Sequence, residues 1–333
     1  MRQPTIRDVA ERSGVSIGTV SRFLNGTQVK RTNAELIKQA VEELGYKPNI
    51  AARSMVTGRT YTVGILVPSM RNVFIGELIS SLGALLREQG YTALFVDYHH
   101  DVRALRESTD FLVSRNVDGI VAFLSELDAS RQGFLADLDV PVVVVDNPLE
   151  DVRVDSVVVD NREAVAAAVG SMLDAGHRRV GVVSFEQDSY VGRARLAGWR
   201  DAYEQRGLIA QDADAVFSAA NSADAAVAMR ELLARNNITA VFACSYYLAL
   251  GALRAINTSG LRAGIDIGYA SFDELEFAGI AEPCLATVCQ PIDEMANVIA
   301  RVMLGRLSGG IDADGVHIVA CEQRMTPSVA GGL

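Results

Sequence analysis

The sequence predicts an all-α helix-turn-helix head followed by an α/β core of two lobes, with parallel sheets flanked by helices. Residues 5–26 read as two short capped helices around a glycine turn. From residue 61 the chain alternates valine-rich runs with helical stretches. Charge divides at the same place. Residues 1–59 hold ten Lys and Arg against five acids, a net of +5, so the remainder carries −15 to give the chain's −10. A cationic head on an acidic body is the asymmetry expected of a DNA-binding arm on a regulatory domain.

In the head, Thr5 is placed to cap a first helix, with Asp8 in the first turn where the helix dipole favours a carboxylate. Val9 and Ala10 give it an apolar side, and Gly14 supplies the backbone freedom of a tight turn. Ser16 caps a second helix over 17–24, which ends at Asn25 and Gly26. Val20, Phe23 and Leu24 fall on its inner side, leaving Ile17, Gly18, Ser21 and Arg22 outside. An outward face so short and mixed suits a DNA groove better than a core. Leu36, Ile37, Ala40, Val41 and Leu44 then predict a third helix over 33–44, stopped by Gly45. Pro48 suits the first turn of a further helix reaching Met55, but few apolar residues there have anything to bury. A helix of about two turns is marginal alone in water. It is expected to form only against a partner helix or DNA.

In the core, strands are expected at 62–67, 92–96, 119–122, 142–145, 157–159, 180–183, 240–243 and 267–272. Helices are expected at 76–89, 103–115, 162–175, 195–205, 223–235 and 248–258. Such alternation gives parallel sheets covered on both faces. About 270 residues of it divide into two lobes. Open parallel sheets bind ligands beyond the carboxyl ends of their strands, so two facing lobes create a cleft. No G-x-G-x-x-G follows a strand, and neither a Walker loop nor HExxH occurs, so no cofactor is expected. The four cysteines (Cys244, Cys284, Cys289 and Cys321) show no CxxC and no zinc spacing; they are expected as thiols in a reducing compartment, without a metal. The amino terminus lacks the apolar core of a secretion signal. No apolar run approaches the ~20 residues that span a bilayer. A cytoplasmic protein without membrane contact is expected.

Several stretches together carry a resemblance: TIRDVA at 5–10, GVS at 14–16, TVSRFLNG at 19–26, LGYKPN at 44–49, ARS at 52–54, VDGI at 117–120, VDN at 159–161, GHRR at 176–179, ALGALR at 249–254 and QP at 290–291. In this order and spacing the chain resembles the LacI/GalR family of transcription regulators over essentially its full length. The resemblance implies a helix-turn-helix domain at 1–45 and a hinge helix and linker at 46–60. It implies a core similar to periplasmic sugar-binding proteins, with an N-terminal lobe from 61–160 plus 290–318 and a C-terminal lobe from 161–289 plus 319–333.

By that resemblance Ile17, Gly18 and Arg22 take the base-reading positions. Arg22 can give bidentate hydrogen bonds to guanine, Ile17 can touch a thymine methyl, and Gly18 has no side chain to read with. Thr5, Ser16, Thr19, Ser21 and Asn25 complete the DNA-facing set, chiefly as phosphate contacts. In the implied hinge, Asn49, Ala52 and Met55 face DNA; Met55 stands where the family usually wedges a leucine into the minor groove. Ser69, Phe74, Asp146, Arg195, Asp273 and Gln290 are the implied effector contacts, with Phe74 as a platform for an apolar sugar face; the family's ligand-binding Arg matches Arg195, and Arg193 is either structural or a supplement to it. One departure stands out. Where the family usually carries Asn-Asp at the cleft, this chain has Ser245 and Tyr246, followed by Tyr247. A larger, flatter and less acidic cleft follows, unsuited to an ordinary hexose. His99 and His100, on a strand-to-helix loop, are expected to face solvent.

The function expected is a repressor that binds a pseudo-palindromic operator in double-stranded DNA as a homodimer, under control of a sugar-like small molecule. The carboxyl end, 329–333, carries no leucine heptad, which favours a dimer over a tetramer. A periplasmic solute-binding protein would explain two lobes but needs a secretion signal and leaves residues 1–59 without a purpose. A sugar-acting α/β enzyme would use Asp146 and Asp273, yet no base or nucleophile motif accompanies them. No catalytic residue is assigned.

Overall fold

A capping box starts the first helix, α1 (Ile6–Ser13): the Thr5 hydroxyl accepts from the Asp8 amide, and Asp8 accepts from the Thr5 amide at 2.6 Å. Gly14, at φ +67, ends it in the left-handed conformation. The computed structural model describes residues 4–24, 27–46, 54, 58–124, 133–149, 154–235, 237–275, 277–310 and 315–332. The chain forms two units, Met1–Tyr61 and Thr62–Leu333.

In the first unit, Ser16 accepts from the Thr19 amide at the start of α2 (Ile17–Leu24). The third helix, α3 (Arg31–Leu44), starts two residues before the expected boundary at residue 33. Lys30 gives its N-terminus no side-chain cap, and the first turn is instead braced by an Arg31–Glu35 ion pair. Val9, Ala10, Val20, Ile37 and Ala40 form the buried centre, with Phe23, Leu24 and Tyr46 packed around it. Gly18 lies on the outer face, where an added Cβ meets nothing within 4 Å. Gly18→Ala is therefore expected to stabilise this unit by up to about 1 kcal/mol through helix propensity alone. A thermal melt of the isolated head checks this, and a lowered Tm would contradict it.

The second unit holds two six-stranded sheets. The first is built from β1 (Thr62–Val67), β2 (Thr92–Asp97), β3 (Gly119–Phe123), β4 (Val142–Val145) and β5 (Asp155–Val159), with α4 (Val73–Glu88) and α5 (Val102–Ser114) between strands. The second uses β6 (Val180–Phe185), β7 (Ala215–Ser218), β8 (Ala240–Ala243), β9 (Gly268–Phe272) and β10 (Ala286–Cys289). Its helices are α6 (Asn161–Ala175), α7 (Tyr190–Glu204), α8 (Ser222–Ala234) and α9 (Tyr246–Thr258). The chain then returns through α10 (Ile292–Ser308) to β11 (Val316–Val319) in the first sheet, and ends with β12 (Glu322–Arg324) in the second. The orders are β11-β5-β4-β3-β1-β2 and β12-β10-β9-β8-β6-β7. Every pairing is parallel except β10 with β12. The predicted two-lobed α/β architecture is the one observed, and the backbone passes between lobes three times.

The strand pattern follows from burial. All four valines of β4 are buried, as are the inner residues of β1, β3 and β8, so these strands read as continuous apolar runs. The short strands β7, β10, β11 and β12 escape such reading, and in β12 all three residues are exposed. Helix α7 starts five residues earlier than expected because Ser189 accepts from the Gly192 amide at 2.9 Å and caps it there. His177 of the GHRR stretch is fully buried. It bonds Thr239 at 2.7 Å and the Val329 carbonyl at 2.9 Å, pinning the carboxyl-terminal segment to the second lobe. Burial lowers its pKa.

Candidate functional site

On the head, Ile17 is 47% exposed, and Gly18 and Arg22 are exposed beside it. The Arg22 guanidinium folds back along its own helix, donating to the Gly18 carbonyl at 3.4 Å and to the Thr19 hydroxyl at 3.3 Å. Both contacts are long and solvated, so a better acceptor can take the guanidinium from them. The Ser16 and Thr19 hydroxyls lie 3.0 Å apart at the start of α2, where amides and dipole favour a phosphate. Ser21 is partly buried. The Thr5 hydroxyl donates to Asp8 at 2.7 Å, so its proton is already committed to the cap. Asn25, Asn49, Ala52 and Met55, and with them most of the expected hinge helix, lie outside the described residues.

In the second unit, a cavity of about 330 Å³ opens at the carboxyl ends of both sheets. The first lobe contributes Ser69, Phe74 and Asp146; the second contributes Arg195, Ser245, Tyr246 and Asp273; Gln290 joins them from the crossover after β10. Eight of the nine residues expected there are thus brought together. Arg193 is not: its guanidinium donates to the Asp188 carbonyl at 3.1 Å, in the loop before α7. Two positions further along the helix, the side chain of Arg195 emerges on a different face. Phe74, 8% exposed, lines the wall as an aromatic surface.

Arg195 is held from three sides. Its Nε donates to Asn161 at 2.8 Å, one Nη donates to the Cys244 carbonyl at 2.6 Å, and the guanidinium carbon lies 3.4 Å from the centre of the Phe272 ring. Both hydrogen-bond partners are neutral, so neither offsets the guanidinium charge in the cavity wall. Asp273 accepts from the Tyr246 amide at 3.0 Å and from the Gln290 side-chain amide at 2.7 Å. That second bond fixes the orientation of Gln290 and leaves its Oε1 buried without a partner. An orphaned buried acceptor costs about 1–3 kcal/mol. A ligand hydroxyl there would satisfy it.

Asp146 and Asp273 close strands β4 and β9 with φ +71 and +70. The left-handed region is costly for residues other than glycine, though least for Asp and Asn, and such strain gathers at binding sites. Burial raises the Asp146 pKa to about 7, with Asp273 adding to the rise and Arg195 opposing it. Its folded pKa therefore lies above the unfolded value, and the core should lose stability as pH climbs from about 4 to about 7. The loss amounts to a few kcal/mol, since each pKa unit is about 1.4 kcal/mol. Asp146→Asn removes the titration: the variant should melt several degrees above the parent at pH 8 and by well under half that margin at pH 5. Circular dichroism melts test this, and equal differences at both pH values would contradict it.

Sequence reading missed part of the wall. Phe123 and Phe185 end strands β3 and β6 and line the cavity, as the carboxyl-end rule would have indicated. Tyr247 also lines it, and its hydroxyl donates to the Arg71 carbonyl of the opposite lobe at 2.8 Å. Tyr246 and Tyr247 meet edge to face, with ring centres 5.5 Å apart. Both histidines are exposed, as expected; His100 also lines the cavity, while His99 bonds Asp97 at 3.1 Å. Cys244 is buried behind Arg195, its pKa pushed up to about 12 by that burial. All four cysteines are free. Among the described residues no group of three or more His, Cys, Asp and Glu is arranged to hold a metal, and no helix is long and apolar enough to cross a membrane.

Comparison with known proteins adds the family. Residues 5–49 match the model of bacterial regulatory proteins of the lacI family, and residues 169–327 match a periplasmic binding protein-like domain. The regulator CelR of Thermobifida fusca is 32% identical over 317 residues, covering 92% of this chain and 93% of its own. The repressor PurR of Vibrio campbellii is 31% identical over 312 residues, covering 91% and 92%. A solved CelR–cellobiose complex is 29% identical with a TM-score of 0.75, over 98% of this chain and 99% of that one. The lac repressor dimer bound to operator and an anti-inducer shares the fold at a TM-score of 0.86 and 22% identity, with 98% and 99% coverage.

Proposed function

The chain belongs to the LacI family of bacterial regulatory proteins and is a DNA-binding transcriptional regulator rather than an enzyme; from that premise we propose that it is a homodimeric repressor of a pseudo-palindromic operator, released or recruited by a sugar-like effector bound between its lobes. The cavity carries this reading. Its walls come from both lobes, and its polar groups are fixed before any ligand arrives, so an occupant bonded to both sides favours one lobe arrangement over the other. Only such differential affinity can move the equilibrium. The CelR complex, in which a relative holds cellobiose, supports a sugar as effector. The lac repressor structure, a dimer on its operator, supports two heads facing two symmetric half-sites. On this reading the protein acts in the cytoplasm.

In the head, Arg22 and Ile17 read bases, while Ser16, Thr19, Ser21 and Thr5 hold the backbone. In the hinge, Asn49, Ala52 and Met55 meet the minor groove. In the cavity, Asp146, Arg195, Asp273 and Gln290 hold hydroxyls, and Ser69, Phe74, Ser245 and Tyr246 complete the wall.

The test is to compare the full chain with one lacking residues 1–61. The full chain should select a pseudo-palindrome from a duplex library and lose affinity steeply with added salt as counterions are released. The shortened chain should bind no duplex yet still gain thermal stability with effector. Undiminished duplex affinity after the deletion would overturn the proposal.

A further inference from the structure

Two hydrogen bonds run directly from one lobe to the other beside the cavity. In the first, the hydroxyl of Tyr247, in the first turn of α9, donates to the Arg71 carbonyl, after β1, at 2.8 Å. In the second, the Tyr190 amide, at the start of α7, donates to the side-chain oxygen of Asn147, after β4, at 3.0 Å. Local structure sets each partner in place. The Arg71 carbonyl belongs to a turn in which its own amide donates to the Ser69 hydroxyl at 3.2 Å and the Asn72 amide donates to the Ser69 carbonyl at 3.4 Å. The Tyr247 ring is braced edge to face by Tyr246. Tyr190 is the first residue of α7, so its amide is one of the helix-end donors that no carbonyl of the same helix can accept. Ser189 caps the Gly192 amide and leaves that of Tyr190 to Asn147, which is 2% exposed.

The pivot lies elsewhere. Where the first and third crossovers pass side by side, the Asp160 amide donates to the Val319 carbonyl at 3.1 Å, and the Cys321 amide donates to the Asp160 carboxylate at 2.7 Å. These bonds tie crossover to crossover, so a rotation of one lobe on the other about the crossovers can leave them intact. The Arg71 contact is placed differently. Strand β1 lies three spacings from β5, which feeds the first crossover, a span of roughly 14 Å. At that distance a rotation of a few degrees lengthens a hydrogen bond by about an ångström, enough to break it.

Resting on the effector reading above, we propose that Tyr247–Arg71 and Asn147–Tyr190 form a two-point latch, which holds the lobes together by protein contacts alone and sets the resting balance that an effector must shift. Tyr247 is thereby a positioning residue of the switch. A net hydrogen bond biases an equilibrium about two- to thirteenfold. Each bond therefore tilts the balance without locking it.

Hydrogen exchange of the full chain, resolved to single amides by mass spectrometry and run with neither DNA nor sugar, tests the latch. The Tyr190 amide is the reporter, because its acceptor belongs to the other lobe. Tyr247→Phe keeps the ring and removes one hydroxyl; it should speed exchange at Tyr190, in the other bond, by about two- to thirteenfold. The Val180 amide, bonded to the Tyr203 hydroxyl within the second lobe, should keep its parental rate. Unchanged exchange at Tyr190 overturns the latch. Equal acceleration at Val180 also overturns it, since the lobe itself would then have loosened. The operator separates the latch from the reading it rests on. Tyr247→Phe and Asn147→Ala both favour parted lobes, so each should shift operator affinity in the same direction, by about two- to tenfold. Shifts in opposite directions overturn the proposed resting balance. If exchange at Tyr190 accelerates while both variants bind operator as the parent does, the latch stands and control of DNA through the lobes falls.

Discussion

Replacing Arg195 with methionine should abolish the response of operator binding to effector and cost the core about 3–5 kcal/mol. The stability loss follows from its anchors. Two hydrogen bonds from a charged donor to Asn161 and the Cys244 carbonyl, each about 1.5–3 kcal/mol, are lost together with the contact over Phe272. The two acceptors are then left facing an apolar side chain, and Asp146 loses the one cation that restrains its pKa. Arg195→Lys keeps the charge but not the planar fork, so it should recover part of the stability and little of the effector response. Urea denaturation measures the first effect, and release of labelled operator the second. A methionine variant with parental stability and full effector response would remove Arg195 from the site.

The second large effect is expected at the other end of the chain. Arg22→Ala should weaken binding to the operator by about 1–3 kcal/mol per half-site, the discrimination carried by a bidentate contact to guanine. On a symmetric operator the loss applies twice, about 2–6 kcal/mol, so affinity should drop by about thirtyfold to about 25,000-fold. Binding to unrelated duplex should change little, because only one positive charge is gone from a head with many. The side chain is exposed and tied only by two long contacts, so its removal should leave the fold of the head intact. Equal losses on both duplexes would make Arg22 a phosphate contact.

How much of this was legible in the sequence differed by element, for physical reasons. Thr5, Asp8 and Gly14 act locally, through bonds spanning a few residues, so their arrangement could be read directly. The buried strands β1, β4 and β8 carried their own apolar runs. Strand β12 carries none, because it is defined by its pairing with β10, more than thirty residues away. In the cavity, the eight residues that converge were found through their places at strand ends and through family resemblance. The resemblance matches the ligand-binding arginine to Arg195 and leaves Arg193 as structural or supplementary; which face of α7 meets the cavity depends on how the helix packs, and that decides between the two. The bond from Tyr247 to Arg71 spans 176 positions and leaves no local trace. Some resemblance motifs prove to be supports rather than contacts: His177 holds the carboxyl-terminal segment, and Asn161 positions Arg195.

The two strands that follow α10 belong to different sheets: β11 is an edge of one and β12 an edge of the other. Neither sheet is complete until the chain has passed α10 and returned to both lobes. A premature stop before residue 316 would therefore strip a border from both halves at once, along with the segment that His177 grips. Folding of either half by itself leaves an open edge that only the segment after α10 covers.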